Sequence, residues 1–261
     1  MTAYDPRPAA AALLRLRRDR TFVAPLGVSI APMTEEQGAT TQATLAAMVD
    51  AACPAGFKIG ATGKRMQEYL GVDHPIAGFM EAANVHRATA DLRFADFIRH
   101  GVECEVAVRL ARDLPPGPCT PEQAAAAGGE FIAGIEIVEN RYDDLKTLGT
   151  PTLVADQMYH AAAVIGDQGG LDWRSLPIAA LSGRIEIDGE PRDQGITTDL
   201  MGGPMNCLAW LAGSPVIAAF GGLKAGQAIM LGSVTPPVWL DAPASVTVTF
   251  DGLPPVRLRL A

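Results

Sequence analysis

The chain has 261 residues, of which 48% are hydrophobic and 19% charged, and its formal net charge is −8. This composition excludes a disordered chain, which combines low hydrophobicity with high charge. An acidic chain without a long basic block is also a poor candidate for binding nucleic acid or an anionic membrane surface. The longest apolar run, residues 208–223, is broken by glycine and proline and is not typical of a membrane span. We therefore expect neither a nucleic acid nor a membrane as partner.

The cysteines and the N-terminal segment indicate the compartment. No two cysteines have C-x-x-C spacing, so a zinc ribbon or a redox motif is not indicated. The first 20 residues carry two aspartates and scattered arginines, which interrupt the apolar core that a secretory signal needs. We expect a cytoplasmic protein with four free thiols, at Cys53, Cys104, Cys119 and Cys207.

In chain order, the sequence pattern predicts two helices followed by a body dominated by strands. The first helix covers residues 8–19, and the second covers 34–50, with Thr34 as its N-cap. Shorter helices are predicted over 64–70 and 121–127 and within 202–211. Predicted strands cover residues 57–59, 102–110, 134–138, 153–155, 178–181, 183–187, 228–231 and 245–250. This is an α+β layout with a rolled or barrel-like sheet, and it lacks regular βαβ alternation. We expect residues 1–55 to form a helical N-terminal cap and residues 56–261 a catalytic β-roll domain, together in one structural unit.

Two carboxylates lie close together in the strand predicted over residues 102–110. Residues two apart on a strand point to the same face, so Glu103 and Glu105 project together and Cys104 projects to the opposite face. Carboxylates in an apolar strand repel each other and are costly to desolvate, so they need a basic partner, protons or a divalent cation. The alternative is an edge strand whose glutamates face water.

A third carboxylate, Glu136, lies in the middle of the apolar segment 134–138. If Glu136 joins Glu103 and Glu105, the three would form an all-oxygen site that suits Mg²⁺ or Mn²⁺, whereas zinc and copper favour histidine or cysteine. The alternative is that Glu136 pairs with Arg141 at the end of the strand.

Two further segments could take part in chemistry. Lys58 lies between Phe57 and Ile59, before a glycine-rich turn, and a partly buried lysine can act as a general acid or base. The alternative is a lysine that extends its ammonium group to water. Gly232, with Ser233 and Thr235 after it, could offer N–H groups and hydroxyls to an anion such as a carboxylate, or could form an ordinary turn.

Five segments resemble the 2-keto-4-pentenoate hydratases of the fumarylacetoacetate hydrolase superfamily, in the order and spacing of that family. They read GFKIGATGKRMQEYLGVDHP (56–75), VECEVAVRLARDLP (102–115), AGIEIVENRYDDL (133–145), GGPMNCLAWLA (202–212) and LKAGQAIMLGSVTPP (223–237). The 4-oxalocrotonate decarboxylases belong to the same family.

The resemblance implies a mixed β-roll of the fumarylacetoacetate hydrolase type, assembled as a homo-oligomer, a dimer or larger. It implies a metal-dependent lyase of aromatic-compound catabolism that hydrates a 2-hydroxy-2,4-dienoate to a 4-hydroxy-2-oxo acid. It also implies Mg²⁺ or Mn²⁺ and a set of site residues. These are Glu103, Glu105 and Glu136 as metal ligands, Lys58 as the acid/base residue, and Gly60, Ser233 and Thr235 as residues that bind the substrate.

Two departures from the family pattern leave the reaction open. Ile76 stands where hydratases often carry aspartate and where decarboxylases more often carry an apolar residue, and residues 156–160 (DQMYH) differ from the usual family sequence. The alternatives are a decarboxylase of a 2-oxo-3-enedioate, a C–C bond hydrolase of a β-diketone acid with His160 or Glu139 as its base, and a non-catalytic partner subunit. A single histidine with no matching motif is weak evidence for catalysis, so we expect His160 to be structural.

Overall fold

The computed structural model describes residues 4–22, 25–167 and 169–261, so residues 1–3, 23 and 24 of the predicted N-terminal cap lie outside the described residues. The α-helices, numbered in chain order, are α1 (Arg7–Asp19), α2 (Glu35–Met48), α3 (Lys64–Leu70), α4 (Pro121–Ala127), α5 (Gly149–Ala155), α6 (Pro204–Ala212) and α7 (Pro215–Ala219). The strands are β1 (Gly56–Gly60), β2 (Ile76–Met80), β3 (Val85–Arg87), β4 (Thr89–Leu92), β5 (His100–Leu110), β6 (Gly128–Glu139), β7 (His160–Ile165), β8 (Ser182–Ile187), β9 (Glu190–Ile196), β10 (Ala228–Ser233), β11 (Val238–Trp239), β12 (Ala244–Phe250) and β13 (Val256–Leu260).

The strands form two mixed sheets. The larger sheet has the order β2-β1-β10-β5-β6-β7-β3, and β11 pairs with β5 beside this path. The smaller sheet has the order β4-β13-β12-β8-β9. Parallel pairs (β1 with β10, β3 with β7 and β13 with β4) occur among antiparallel ones. The curled larger sheet with its helices confirms the predicted α+β class and the β-roll.

The N-terminal helices pack on the strand-rich body. Thr34 caps α2 as predicted, because its hydroxyl accepts a hydrogen bond from the Gln37 N–H at 3.3 Å. Helix α1 buries Leu13 and α2 buries Leu45, and both side chains belong to the same apolar core as Phe57 of β1. The two helices therefore share a core with the sheet that carries the site.

Two predicted strands are wrong. Residues 153–155 lie in helix α5, whose residues 152–155 are all buried, and so short an apolar run has no periodicity that separates a buried helix from a strand. Residues 178–181 form a 3-10 turn and its end. There the Thr197 hydroxyl donates to the Ile178 carbonyl and accepts from the Leu181 N–H, so a side chain replaces a neighbouring strand.

The larger sheet places Lys58 and the three glutamates on one face, beside apolar residues of the same face. Glu103 and Glu105 share a face of β5 with Ala107, and Lys58 of β1 lies opposite Met230 of β10. Ala107 and Met230 belong to a small buried cluster that is distinct from the main core and comprises Met80, Ala107, Ile132, Ala163, Ile165, Ala228 and Met230. These residues lie on the same face of the sheet as the carboxylates, so the site has apolar neighbours along the strands.

Within the part of the chain that the structure describes, no helix is long and apolar enough to cross a membrane. The four cysteines are free, as predicted.

Candidate active site

Pairing of β5 with β6 brings the three predicted carboxylates together. Glu103 lies directly opposite Glu136 in the register, and Glu105 lies two residues further along the same face of β5. One oxygen from each carboxylate lies within 4.8 Å of the others. Strand β5 has neighbours on both sides, β10 and β6, so the alternative of an edge strand facing water is excluded.

Arg141 does not neutralise Glu136. Its guanidinium pairs instead with Glu139 at 2.9 Å and with Asp156 at 3.0 Å. The alternative of a strand-end ion pair between Glu136 and Arg141 is therefore excluded, and Glu136 is left to other partners.

The three carboxylates differ in proton affinity because their charged neighbours differ. Burial, followed by the charge of Glu136, raises the pKa of Glu103 to about 8. Burial and the other two carboxylates raise the pKa of Glu105 well above its usual value. Burial alone would raise the pKa of Glu136 too, but nearby Lys58 and His160 outweigh it and lower that pKa. The raised pKa values of Glu103 and Glu105 indicate that negative charge is costly in this cluster, and a divalent cation could compensate that charge.

The hydrogen bonds within the cluster fit such a cation. Glu136 Oε1 accepts from Lys58 Nζ at 3.0 Å and lies 2.9 Å from His160 Nδ1, while Glu136 Oε2 is buried without a hydrogen-bond partner among the described residues. A buried carboxylate oxygen without a donor is costly, and it is available as a ligand. Because all three candidate ligand groups are carboxylates, the cluster suits a hard cation, which prefers oxygen ligands.

Lys58 lies inside the site with its ammonium group buried. Its side chain is 1% exposed, which excludes a lysine that reaches water, and Nζ also donates to the Met158 carbonyl at 3.0 Å. Gly60 makes room for this arrangement: a Cβ at Gly60 would lie 2.6 Å from Met158 Cγ and 3.2 Å from Lys58 Nζ.

The end of β10 and the residues that follow it use most of their polar groups within the protein. The Gly232 N–H donates to Glu105 Oε2 at 3.1 Å, and Ser233 Oγ lies 2.7 Å from the Thr235 carbonyl and 3.2 Å from the Cys104 carbonyl. Thr235 Oγ1 is buried and has no hydrogen-bond partner among the described residues. Of the two predicted hydroxyls, that of Thr235 is the one free to meet a ligand.

The sequence did not reveal the segment that faces Lys58. Gln157, Met158 and Tyr159 have φ values of 55°, 49° and 64°, so three consecutive residues other than glycine are left-handed, at a cost of about 1–2 kcal/mol each. His160, expected to be structural, ends this turn in contact with Glu136. Three buried residues in such a conformation are typical of a constrained functional segment.

Comparison with known proteins identifies the family of the chain. A family model described as the fumarylacetoacetate (FAA) hydrolase C-terminal domain matches residues 23–261. The chain belongs to the fumarylacetoacetate hydrolase family.

The relatives found by sequence share a higher identity with this chain than the similar solved structure does. The chain is 32% identical over 202 residues to a 2-keto-4-pentenoate hydratase from Burkholderia vietnamiensis, covering 77% of this chain and 76% of the relative. It is 35% identical over 200 residues to a 2-hydroxyhexa-2,4-dienoate hydratase from Comamonas testosteroni, covering 75% and 72%. The structure of 4-oxalocrotonate decarboxylase from Pseudomonas putida G7, complexed with magnesium and adipate, superimposes with a TM-score of 0.89. It covers 100% of this chain and 99% of that one at 22% identity, which shows a shared fold.

Proposed function

We propose that this chain is a divalent-metal-dependent hydratase that adds water to a 2-hydroxy-2,4-dienoate of the 2-keto-4-pentenoate type and yields a 4-hydroxy-2-oxo acid. One observation carries the proposal: a single carboxylate, Glu136, holds the buried Lys58 through one oxygen and offers its other oxygen to the carboxylate cluster. A proton-transfer group and a cation site would thereby lie side by side. The hydratases among the relatives support this reading.

Glu103, Glu105 and Glu136 would hold Mg²⁺ or Mn²⁺, both of which favour oxygen ligands. When bound, the cation would supply Lewis-acid stabilisation of negative charge on the C1 carboxylate and C2 oxygen of the substrate. A magnesium complex of the related decarboxylase is consistent with this choice.

Lys58 would carry the proton transfers. Two of its three N–H groups are directed to Glu136 and to the Met158 carbonyl, which leaves one for the substrate. In the proposed reaction the C2 hydroxyl loses its proton and C5 gains one, which gives a 2-oxo-3-enoate. Water then adds its oxygen to C4 and a proton to C3. Such a positioned acid/base group contributes about 10²–10⁴-fold to a rate.

The substrate carboxylate would lie near Gly60, Ser233 and Thr235. The Thr235 hydroxyl, buried and without a partner among the described residues, is the donor that this arrangement offers, since Ser233 already bonds to the backbone. Gly60 would keep the approach to Lys58 open because any side chain there meets the Lys58 ammonium group.

A second candidate reaction, decarboxylation of a 2-oxo-3-enedioate, is favoured by Ile76. This residue lies opposite Gly60 in the β1–β2 register, on the Lys58 face of the sheet, and is 1% exposed. An isoleucine cannot orient water by hydrogen bonding, so water activation would depend on other groups. Release of CO₂ from 4-oxalocrotonate, without hydration of the dienoate, would favour this reaction.

The decisive assay is conversion of 2-hydroxypenta-2,4-dienoate to 4-hydroxy-2-oxopentanoate. We expect turnover to disappear after chelation with EDTA and to return with Mg²⁺ or Mn²⁺. We expect Lys58→Ala to lower kcat by at least about 100-fold, whereas the exposed Lys64→Ala control keeps full activity. Undiminished turnover after thorough chelation would refute the requirement for a divalent metal. Full turnover of folded Lys58→Ala would refute the acid/base role of Lys58.

The proposal also covers where the protein acts and how it assembles. Four free thiols suit a reducing cytoplasm, and we expect a homo-oligomer that acts in the breakdown of aromatic compounds. Light scattering of the purified protein would test the oligomer.

A further inference from the structure

The left-handed turn, defined as Gln157–Tyr159, connects to both halves of the candidate site. Its middle carbonyl, that of Met158, accepts from Lys58 Nζ at 3.0 Å. The residue after it, His160, contacts the carboxylate of Glu136 at 2.9 Å. The turn therefore contacts the lysine ammonium group through the Met158 carbonyl and borders Glu136 through His160.

Two glycines of the sheet allow the turn to come this close. A Cβ at Gly60 would fall 2.6 Å from Met158 Cγ, and a Cβ at Gly78 would fall 2.8 Å from the Gln157 carbonyl oxygen. Both distances are shorter than any normal contact, so the turn packs directly on the backbone of β1 and β2. Packing alone does not explain a left-handed conformation, which needs bonds that fix its ends.

Arg17 of helix α1 supplies those bonds. Its guanidinium donates to the Asp156 carbonyl at 3.0 Å and to Asp156 Oδ1 at 2.7 Å, before the turn, and to the His160 carbonyl at 3.3 Å, after it. Arg141 holds the other carboxylate oxygen of Asp156 at 3.0 Å. One planar side chain from the N-terminal helix thus fixes both ends of the turn, as the fork of an arginine can.

We propose that Arg17 is a positioning residue for Lys58: it clamps the left-handed turn so that the Met158 carbonyl holds the lysine ammonium group against Glu136. The proposal rests on the proposed function in that Lys58 is taken as the group that moves protons. Arg17 itself bonds to the ends of the turn and acts only through it. Without Arg17, Lys58 keeps Glu136 as a partner but loses a fixed carbonyl, so the ammonium group samples other positions.

The alternative is a purely structural role, in which Arg17 only attaches α1 to the body. Two control variants distinguish this alternative from a positioning role. Leu13→Ala, on the same helix, removes a fully buried side chain of the core and leaves the clamp intact. Arg18→Gln removes an exposed arginine next to Arg17. These two variants are the matched controls for loss of helix packing and for loss of one positive charge.

The first readout is independent of turnover and of the metal. Metal-free protein is acetylated under native conditions, and labelling of each lysine is followed by peptide mass spectrometry. We expect Arg17→Gln to raise the labelling rate of Lys58 by at least about 10-fold, because a clamped and buried amine reacts slowly. Labelling of the exposed Lys64 and Lys224 should not change. Leu13→Ala and Arg18→Gln should leave Lys58 as slow as in the unaltered protein.

The second readout is kinetic. We expect Arg17→Gln to lower kcat about 10- to 100-fold with KM changed less than about twofold, since small misplacements of a reacting group carry penalties of this size. In Arg17→Ala, guanidinium at millimolar concentration should restore part of kcat, whereas ammonium should not. If Arg17→Gln does not fold, Arg17→Lys takes its place under the same criteria.

Unchanged labelling of Lys58 in Arg17→Gln, or an equal rise in Leu13→Ala, would overturn the proposal. If the unaltered protein proves inactive on the dienoate, the labelling result still decides the positioning role, so the two proposals can fail separately.

Discussion

Substitution of Gly60 by alanine tests how closely the turn and the lysine are packed. The new Cβ would lie 2.6 Å from Met158 Cγ, about 1 Å short of the 3.5–4.0 Å at which carbon atoms attract. Met158 is 6% exposed and its backbone carbonyl holds Lys58, so the side chain cannot move away freely. We expect a loss of about 1–3 kcal/mol in the free energy of unfolding. A displacement of 1 Å at the reacting groups should also lower kcat by about 100-fold.

The assay pairs urea denaturation with turnover of 2-hydroxypenta-2,4-dienoate. Gly63→Ala is the matched control, because no atom of the described residues lies within 4 Å of the Cβ it would add. Its free energy of unfolding and its activity should both stay close to those of the unaltered protein. In Met158→Ala the clashing Cγ is absent, so adding Gly60→Ala to that variant should cost less than it does alone. If Gly60→Ala keeps more than half of the activity, the steric reasoning is refuted.

Two further predictions concern the ion network and the cation. Asp156→Asn removes the carboxylate shared by Arg17 and Arg141 and should lower the free energy of unfolding by about 3–5 kcal/mol. Asp251→Asn breaks an exposed pair and should cost less than about 1 kcal/mol in the same urea titration. Because burial raises the pKa of Glu103 to about 8, cation binding at pH 7 should release protons. Mg²⁺ affinity measured by calorimetry should therefore rise as the pH approaches 8. The released protons are taken up by the buffer, so the measured heat of binding should change with the ionisation enthalpy of the buffer. A heat of binding that is the same in all buffers would contradict this prediction.

Local patterns in the sequence were sufficient for the elements with clear signals. The predicted helix over 121–127 agrees with α4 because Thr120 and Gln123 form a reciprocal cap that is local in sequence. Strands β2 and β7 were missed because residues 76–80 and 160–165 are buried on nearly all positions and show no alternation. The 153–155 segment failed for the same reason, since full burial removes the periodic signal.

The resemblance to the 2-keto-4-pentenoate hydratases is confirmed by the family match and by the relatives. The roles of the individual site residues stay predictions. The sequence could bring Glu103 and Glu105 to one face because residues two apart on a strand share it. It could only suggest Glu136, whose place depends on the pairing of β5 with β6.

The sequence by itself determined the acidic, strand-rich character of the chain and placed Glu103 and Glu105 on one face, because each follows from composition or from spacing within one element. It left open whether Lys58 is buried or reaches water. Only the tertiary structure decided which contacts hold Lys58, Glu103 and Glu105 in place. Arg17 lies 143 residues before His160, and the helical pattern around it did not indicate a hydrogen bond to so distant a segment. None of the three residues in the left-handed turn is glycine, so the sequence did not indicate a left-handed conformation there. Such contacts join distant segments, and their energy depends on burial and geometry that exist only once the chain has folded.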